Sequence, residues 1–213
     1  KITACPVIVL LKNVGEMNSD TVNKSTIAMS AQSLTLAPAI SSLSYSSELN
    51  RAMLMLAEHP KSLFVGQAVK YPGQAAFKTF DGVPMEKRIE MPVAEDFQMG
   101  FCTGLALQGY LPISFYCRWD FLLLAANQLV NHLDKFPYIG CTPKVIIRTA
   151  LGRTKPLDPG PQHSGNYTVP MRQMLKTVSI LEIFRAEDVM PAYEEALRSD
   201  RSTILVEHMR LYG

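Results

Sequence analysis

Hydrophobic residues downstream of Ser44 follow two alternating spacings. Short, nearly continuous apolar runs, typical of strands buried on both faces, are separated by longer segments in which apolar residues recur at helical spacing. Strands that alternate with helices of this length predict an α/β fold with a mainly parallel sheet and helices on both faces. The predicted strands are residues 62–65, 89–91, 113–117, 144–149, 178–181 and 203–206.

The predicted helices begin and end at local signals. Ser44 offers an N-cap, apolar residues then recur at helical spacing, and Pro60 ends this first helix. The other predicted helices are one that carries Gly100 and Gly104 and those at residues 120–135 and 187–198.

The first part of the chain has a different character. Residues 1–43 are rich in Ser, Thr, Asn and Ala and show weak periodicity, so we interpret them as an N-terminal extension or linker before a domain at residues 44–213. The apolar segment from Pro6 to Leu11 is a candidate contact for a partner. A strand over residues 2–11, added to the domain's own sheet, is an equally good interpretation.

Composition excludes several classes of protein. The 213 residues carry a net charge of +2, with 19% charged residues and no basic stripe, so nothing indicates a nucleic-acid partner. No apolar stretch is long enough to span a membrane. The cysteines lack metal-like spacing, which favours free thiols in a reducing compartment, the cytoplasm or an organelle matrix. They are Cys5, Cys102, Cys117 and Cys141.

Glu95 lies between the predicted strand at residues 89–91 and the helix that follows it. Ligands of open α/β sheets bind at this edge, outside the carboxyl ends of the strands. An acid near a helix N-terminus is commonly a surface residue that interacts favourably with the helix dipole. The apolar neighbours of Glu95 favour a functional carboxylate instead, with Asp96 as a weaker rival. These neighbours are Val93, Ala94, Phe97 and Met99.

His163 lies in the one long irregular stretch of the domain, residues 150–168, whose Gly and Pro content excludes helix and inner strand. Loops of this length in compact domains are usually functional or mobile. Because the loop follows a buried strand, we expect it to emerge at the same edge as Glu95. A lone loop histidine is also commonly a solvated surface residue, and the residues alone leave both interpretations open.

Several motifs occur in collinear order over roughly residues 44–213. They are Pro92-Val-Ala-Glu95, the helix with Gly100 and Gly104, Gly109-Tyr-Leu-Pro112, Asp120-Phe121, Asn127-Gln128, Gln162-His163-Ser164 and the segment from Val206 to Gly213. Together they resemble the pyrimidine-binding domain of thiamine diphosphate-dependent enzymes, in particular the beta subunit of the decarboxylating component of 2-oxo acid dehydrogenase complexes.

The resemblance implies roles for particular residues of the chain. Glu95 would be catalytic and cofactor-binding, because it would exchange a proton with a ring nitrogen of the aminopyrimidine. Phe121 would stack on that ring, with Trp119 and Phe115 as neighbours able to share the role. Gln67 would contact the cofactor where the family commonly has an acid, which puts communication between paired active sites in doubt. His163 would be catalytic and act on the substrate.

The resemblance also implies partners. The diphosphate and Mg²⁺ would be held by an alpha-type subunit in a heterotetramer or larger heteromer, since this chain has neither the Gly-Asp-Gly signature nor the family's further C-terminal domain. We expect no metal ligands in the chain itself and a small 2-oxo acid as substrate. Alternatives are a transketolase-like or deoxyxylulose phosphate synthase-like carbon-transfer enzyme and a non-catalytic scaffold.

Overall fold

A six-stranded, entirely parallel sheet forms the centre of the domain, in the order β2-β1-β3-β4-β6-β5. The computed structural model describes residues 43–152 and 158–212. The strands are β1 Ser62–Gly66, β2 Arg88–Glu90, β3 Leu111–Tyr116, β4 Ile146–Leu151, β5 Ser179–Ile183 and β6 Thr203–His208. The predicted fold class is confirmed, and every predicted strand is present with shifts of a few residues at its ends.

The described part of the chain contains five α-helices, of which the first precedes the sheet and the other four lie between successive strands from β2 to β6. Contacts with neighbouring elements place α1 and α5 against each other, whereas α2 packs on β3 and on the turn after α3. The helices are α1 Tyr45–Glu58, α2 Glu95–Leu107, α3 Trp119–Leu122, α4 Thr168–Met174 and α5 Ala186–Arg198.

Successive residues of the central strands point to opposite faces of the sheet and bury both faces. Ile146 and Leu205 belong to the cluster that contains α1 and α5 residues, and the adjacent Ile147 and Val206 belong to the cluster that contains α2 and α3 residues. Strands buried in this way need apolar side chains at every position, not only at alternate ones. This explains the continuous apolar runs in the sequence.

A buried ion pair joins β4 to β6 inside the first of these clusters. Arg148 Nε and Nη2 donate to the two carboxylate oxygens of Glu207 at 2.8 and 3.0 Å, and both side chains are fully buried. Tyr193 and Tyr212 donate their hydroxyl protons to the same carboxylate. Burial alone would lower the pKa of Arg148, but the Glu207 carboxylate outweighs burial and raises it, so the guanidinium stays charged.

The predicted helix at residues 120–135 is wrong as a continuous α-helix. Only α3 is α-helical, a 3₁₀ turn follows at Leu123–Ala125, and Gln128–Leu133 is a π-helix. Asp134 at its end accepts hydrogen bonds from the backbone N–H groups of Lys176, Thr177 and Val178. These long-range bonds hold the end of the segment and outweigh its local helix propensity.

The N-cap of α1 and the presence of α4 also differ from the predictions. Ser44 precedes α1 as expected, but its side chain makes no capping bond, and its carbonyl accepts the N–H of Glu48. The helix α4 was not predicted, although Pro170 in its first turn is a usual start signal. Of the predicted extension, residues 1–42 lie outside the described residues, as does the alternative strand at residues 2–11, and the boundary at residue 44 stays a prediction.

Candidate functional site

Glu95 is the first residue of α2 and is only 5% exposed. Its carboxylate Oε1 accepts a hydrogen bond from Gln67 Nε2 at 3.1 Å, and Gln67 directly follows β1. Both side chains face a narrow recess at the carboxyl edge of the sheet. The recess is lined by Gln67, Glu95, Phe115, Tyr116, Cys117 and Phe121.

Asp96, the rival acid, points the other way. It is exposed, and its Oδ2 accepts a long hydrogen bond of 3.5 Å from Gln128 Nε2. The helix geometry explains the difference, because consecutive helical residues lie on different faces. Of the two adjacent acids, only Glu95 faces the recess.

Glu90, at the end of β2, organises the loop that carries Gln67. Its carboxylate accepts the backbone N–H groups of Ala68, Val69 and Lys70 at 2.5, 3.1 and 2.8 Å. Ala68 has the left-handed φ of 53°, which is uncommon for a residue with a side chain and is held here by these bonds. Neither Glu90 nor its hydrogen bonds to these three N–H groups were identified from the sequence.

His163 and Phe121 meet at the same edge of the sheet. Their ring centroids lie 5.1 Å apart with an interplanar angle of 52°. The loop of His163 is attached to the residue before Phe121, because Gly165 N and Tyr167 Oη both donate to Asp120 Oδ1 at 3.3 Å. His163 is partly buried, so the interpretation as a fully solvated loop residue does not describe it.

Phe121 and Cys117 also line a larger cleft of about 310 Å³ that is open beside the recess. Burial raises the pKa of the Cys117 thiol to about 11, so the thiol is neutral near pH 7. Cys117 and Arg118 were not identified as site residues, although Cys117 ends a predicted strand at the ligand-binding edge and Arg118 follows it. The other residues of the cleft are Gly73, Gln74, Ala75, Arg118, Pro159, His163 and Met209.

Trp119 is not at this site, which corrects its interpretation as a cofactor-binding residue. The indole is fully buried in the core, and its Nε1 donates to Thr168 Oγ1 at 3.2 Å. Phe115 lines the recess but is 1% exposed, and it packs edge-on against Phe80 with ring centroids 5.7 Å apart. Of the three aromatic candidates, Phe121 alone has a partly exposed ring at the recess and the cleft.

These side chains fit the aminopyrimidine end of thiamine diphosphate in their chemistry. The Glu95 carboxylate, with one oxygen held by an amide, provides a proton acceptor. The Phe121 ring provides a stacking surface, and His163 in contact with that ring provides a polar group. Within residues 43–152 and 158–212, no cluster of His, Cys, Asp and Glu is placed to hold a metal ion. No helix among these residues is both long and apolar enough to cross a membrane.

Comparison with known proteins finds relatives in sequence and in fold. No protein-family model matches the chain. The chain is 27% identical over 164 residues to a pyruvate dehydrogenase E1 component subunit beta from Staurastrum punctulatum, and 28% identical over 174 residues to the mitochondrial one from Saccharomyces cerevisiae. These matches cover 72% and 78% of the chain but 48% and 46% of the relatives, so the chain spans about half their length.

Solved structures show the same fold. A split-gene transketolase, described as an inactive beta4 tetramer, superposes with a TM-score of 0.60 at 19% identity over 78% of this chain and 52% of its own. Transketolase from Campylobacter jejuni superposes with a TM-score of 0.61 at 16% identity over 79% of this chain and 26% of its own. The chain therefore has the fold of these transketolases and is similar in sequence to beta subunits of pyruvate dehydrogenase E1 components.

Proposed function

We propose that this domain is the pyrimidine-binding half of a thiamine diphosphate-dependent 2-oxo acid decarboxylase or dehydrogenase component. The observation that carries the proposal is the buried carboxylate of Glu95 at the carboxyl edge of the sheet, in hydrogen-bond contact with Gln67 and beside Phe121. Relatives named as pyruvate dehydrogenase subunits support the choice of 2-oxo acid chemistry.

Bound thiamine diphosphate supplies the nucleophilic carbon and the electron sink for loss of CO₂ from a 2-oxo acid. Glu95 would take and return a proton at the pyrimidine nitrogen through its carboxylate oxygens. The amide of Gln67 holds one of these oxygens at 3.1 Å and so limits the directions in which the carboxylate accepts a proton. Phe121 would cover the ring and exclude water.

His163 would act on the substrate side of the cleft. It lies beside Phe121, is partly buried and lines the cleft of about 310 Å³, so a substrate held in that cleft would meet the imidazole. An imidazole can both donate and accept hydrogen bonds. We assign it the role of hydrogen-bond donor or proton carrier to the substrate.

A second polypeptide completes the site in this proposal. The relatives are named beta subunits, which supports an alpha-type companion that holds the diphosphate and Mg²⁺ in a heterotetramer or larger heteromer. Oxygen ligands for Mg²⁺ would then come from that companion. Relatives named mitochondrial or chloroplastic agree with a reducing compartment such as an organelle matrix or the cytoplasm.

The test compares Glu95→Gln with Asp96→Asn in the chain purified with its companion subunit. We expect Glu95→Gln to lower turnover of 2-oxo acids by about 10²- to 10⁴-fold, because proton transfer is lost, while affinity for thiamine diphosphate with Mg²⁺ changes far less. Asp96→Asn is the matched control, since the side chain is exposed, and it should retain near-normal turnover.

Each other outcome contradicts a defined part of the proposal. Near-normal turnover in Glu95→Gln would show that another acid acts on the cofactor. Turnover of sugar phosphates instead of 2-oxo acids, measured with an artificial electron acceptor and by product analysis, would indicate a carbon-transfer enzyme. Failure to bind thiamine diphosphate in the presence of the companion would indicate a non-catalytic scaffold.

A further inference from the structure

Arg118 places a positive charge in the wall of the cleft that holds Phe121 and His163. It is the second residue after β3 and is only 7% exposed. Arginine remains protonated at any physiological pH, so this is a buried cation beside the proposed reaction site. The resemblance to thiamine diphosphate enzymes assigned no role to this position.

The guanidinium is held from one side. Its Nη1 donates to the carbonyl of Gly152 at 2.5 Å, and Gly152 has a φ of +123°, a conformation that favours glycine. Among the described residues, this is the one hydrogen bond that the side chain makes. The opposite edge, formed by Nε and Nη2, is the edge that pairs in a fork with a carboxylate.

Neighbouring carboxylates affect Arg118 through their charge. Burial lowers the pKa of Arg118, and the carboxylates of Asp120 and Asp158 raise it by smaller effects. Asp120 Oδ1 already accepts the N–H of Gly165 and the hydroxyl of Tyr167, and Asp158 Oδ1 accepts the N–H of Gly160. A desolvated guanidinium that lines a cleft, as Arg118 does, can bind an anionic group there favourably.

The carboxylate that is lost as CO₂ is a poor candidate for the anion bound by Arg118. Negative charge moves away from the leaving carboxylate in the transition state of decarboxylation, so a cation bound to it would stabilise the substrate more than the transition state. An anionic group at the far end of the substrate has no such disadvantage, because its charge does not change during the reaction. Binding energy from this remote group supports positioning of the reacting carbon.

We propose that Arg118 binds a second carboxylate of the substrate, which makes the substrate class of this site a 2-oxo diacid and not a simple monocarboxylic 2-oxo acid. This inference rests on the proposed function. The planar, two-oxygen carboxylate matches the Nε and Nη2 edge of the guanidinium in number and direction of donors. The cleft volume of about 310 Å³ is of the size expected for a small organic acid.

The experiment uses the full chain with its companion subunit and compares Arg118→Met, Arg118→Lys and the exposed control Arg172→Met. Turnover is measured with 2-oxoglutarate, pyruvate and 3-methyl-2-oxobutanoate. We expect 2-oxoglutarate to be preferred, with a KM raised about tenfold to hundredfold in Arg118→Met, since a charge-assisted pair is lost. Arg118→Lys should restore part of the loss, and KM for pyruvate should change little.

A binding measurement separates this proposal from the proposed function. Calorimetric titration with glutarate, which cannot react, tests the anion site even if no 2-oxo acid is turned over. Binding to the wild-type chain and to Arg172→Met, but not to Arg118→Met, supports the site. Equal binding to all three proteins, or to none of them, overturns it, as does an unchanged KM for 2-oxoglutarate in Arg118→Met. Tighter binding of inorganic phosphate than of glutarate would also overturn the carboxylate assignment.

Discussion

The backbone N–H of Ala68 lies 2.5 Å from Oε1 of Glu90, and this contact determines where the neighbouring Gln67 points. Ala68 adopts a left-handed conformation, and the Glu90 carboxylate also accepts the next two N–H groups, those of Val69 and Lys70. Gln67 precedes this turn and contacts Glu95. The orientation of the candidate catalytic carboxylate thus depends on a second acid one strand away.

Replacement of Glu90 by glutamine should therefore destabilise the domain. An amide offers one acceptor oxygen and brings an NH₂ group towards backbone donors, so at least one buried N–H loses its partner. We expect a loss of about 1–3 kcal/mol in the free energy of unfolding, measured by chemical denaturation. Glu86→Gln is the control, because Glu86 is exposed, and it should change stability by less than about 0.5 kcal/mol. Equal stability of the two variants would contradict the role given to Glu90.

Replacement by alanine should have opposite effects on stability at two glycines, Gly66 and Gly104. A Cβ at Gly66 would lie 2.5 Å from the carbonyl oxygen of Phe115, its partner in the register of β1 and β3. The backbone of the sheet would have to move, so Gly66→Ala should cost about 1–3 kcal/mol of stability.

Gly104 in α2 has no atom within 4 Å of the added Cβ. Gly104→Ala should be neutral or gain up to about 1 kcal/mol, because alanine has the higher helix propensity. Thermal denaturation of both variants measures the contrast. A stabilised Gly66→Ala would show that β1 and β3 are less closely paired than in this structure.

The Arg148–Glu207 pair predicts strong coupling between two substitutions. Arg148→Met leaves the Glu207 carboxylate buried with tyrosine hydroxyls as its remaining partners, so we expect a loss of about 3–5 kcal/mol. The double variant Arg148→Met/Glu207→Gln should be more stable than Arg148→Met alone, because no unpaired buried charge remains. A double-mutant cycle measured by denaturation checks this, and simple additivity of the two losses would refute it.

Asp134 should make stability depend on pH in the acid range. Burial raises its pKa, but the N–H groups of Lys176, Thr177 and Val178 and the ammonium of Lys135 outweigh burial and lower the pKa below its ordinary value. A carboxylate with a lowered pKa in the folded state contributes stability above its unfolded pKa, near 4, and loses that contribution as the pH falls through the folded value.

The free energy of unfolding measured between about pH 2 and pH 5 should therefore decline less steeply with acid in Asp134→Asn than in the wild-type chain. Asp200→Asn serves as a control for an exposed acid outside this set of contacts. Identical slopes for Asp134→Asn and the wild-type chain would show that Asp134 does not control acid stability.

Much of the fold was predictable because the relevant signals are local. Apolar runs with no polar alternation indicate strands buried on both faces, and their alternation with helical segments leaves a parallel sheet as the natural arrangement. The same chain order brings Gln67, Glu95, Phe121 and His163 to the carboxyl edge of the sheet, where the structure places all four. Their chemical roles stay predictions until the variants are measured.

The sequence by itself determined the layer architecture and the edge at which the site lies, because the periodicity of apolar residues and the direction of parallel strands depend on neighbours in the chain. Only the tertiary structure decided which acid faces inward, that Trp119 belongs to the core, and that residues 120–135 form a broken helix. It also revealed the hydrogen bonds that the Glu90 carboxylate accepts from the loop after β1, and the buried charge of Arg118 in the cleft wall. Each of these depends on contacts between residues far apart in the chain, whose distances no local pattern encodes.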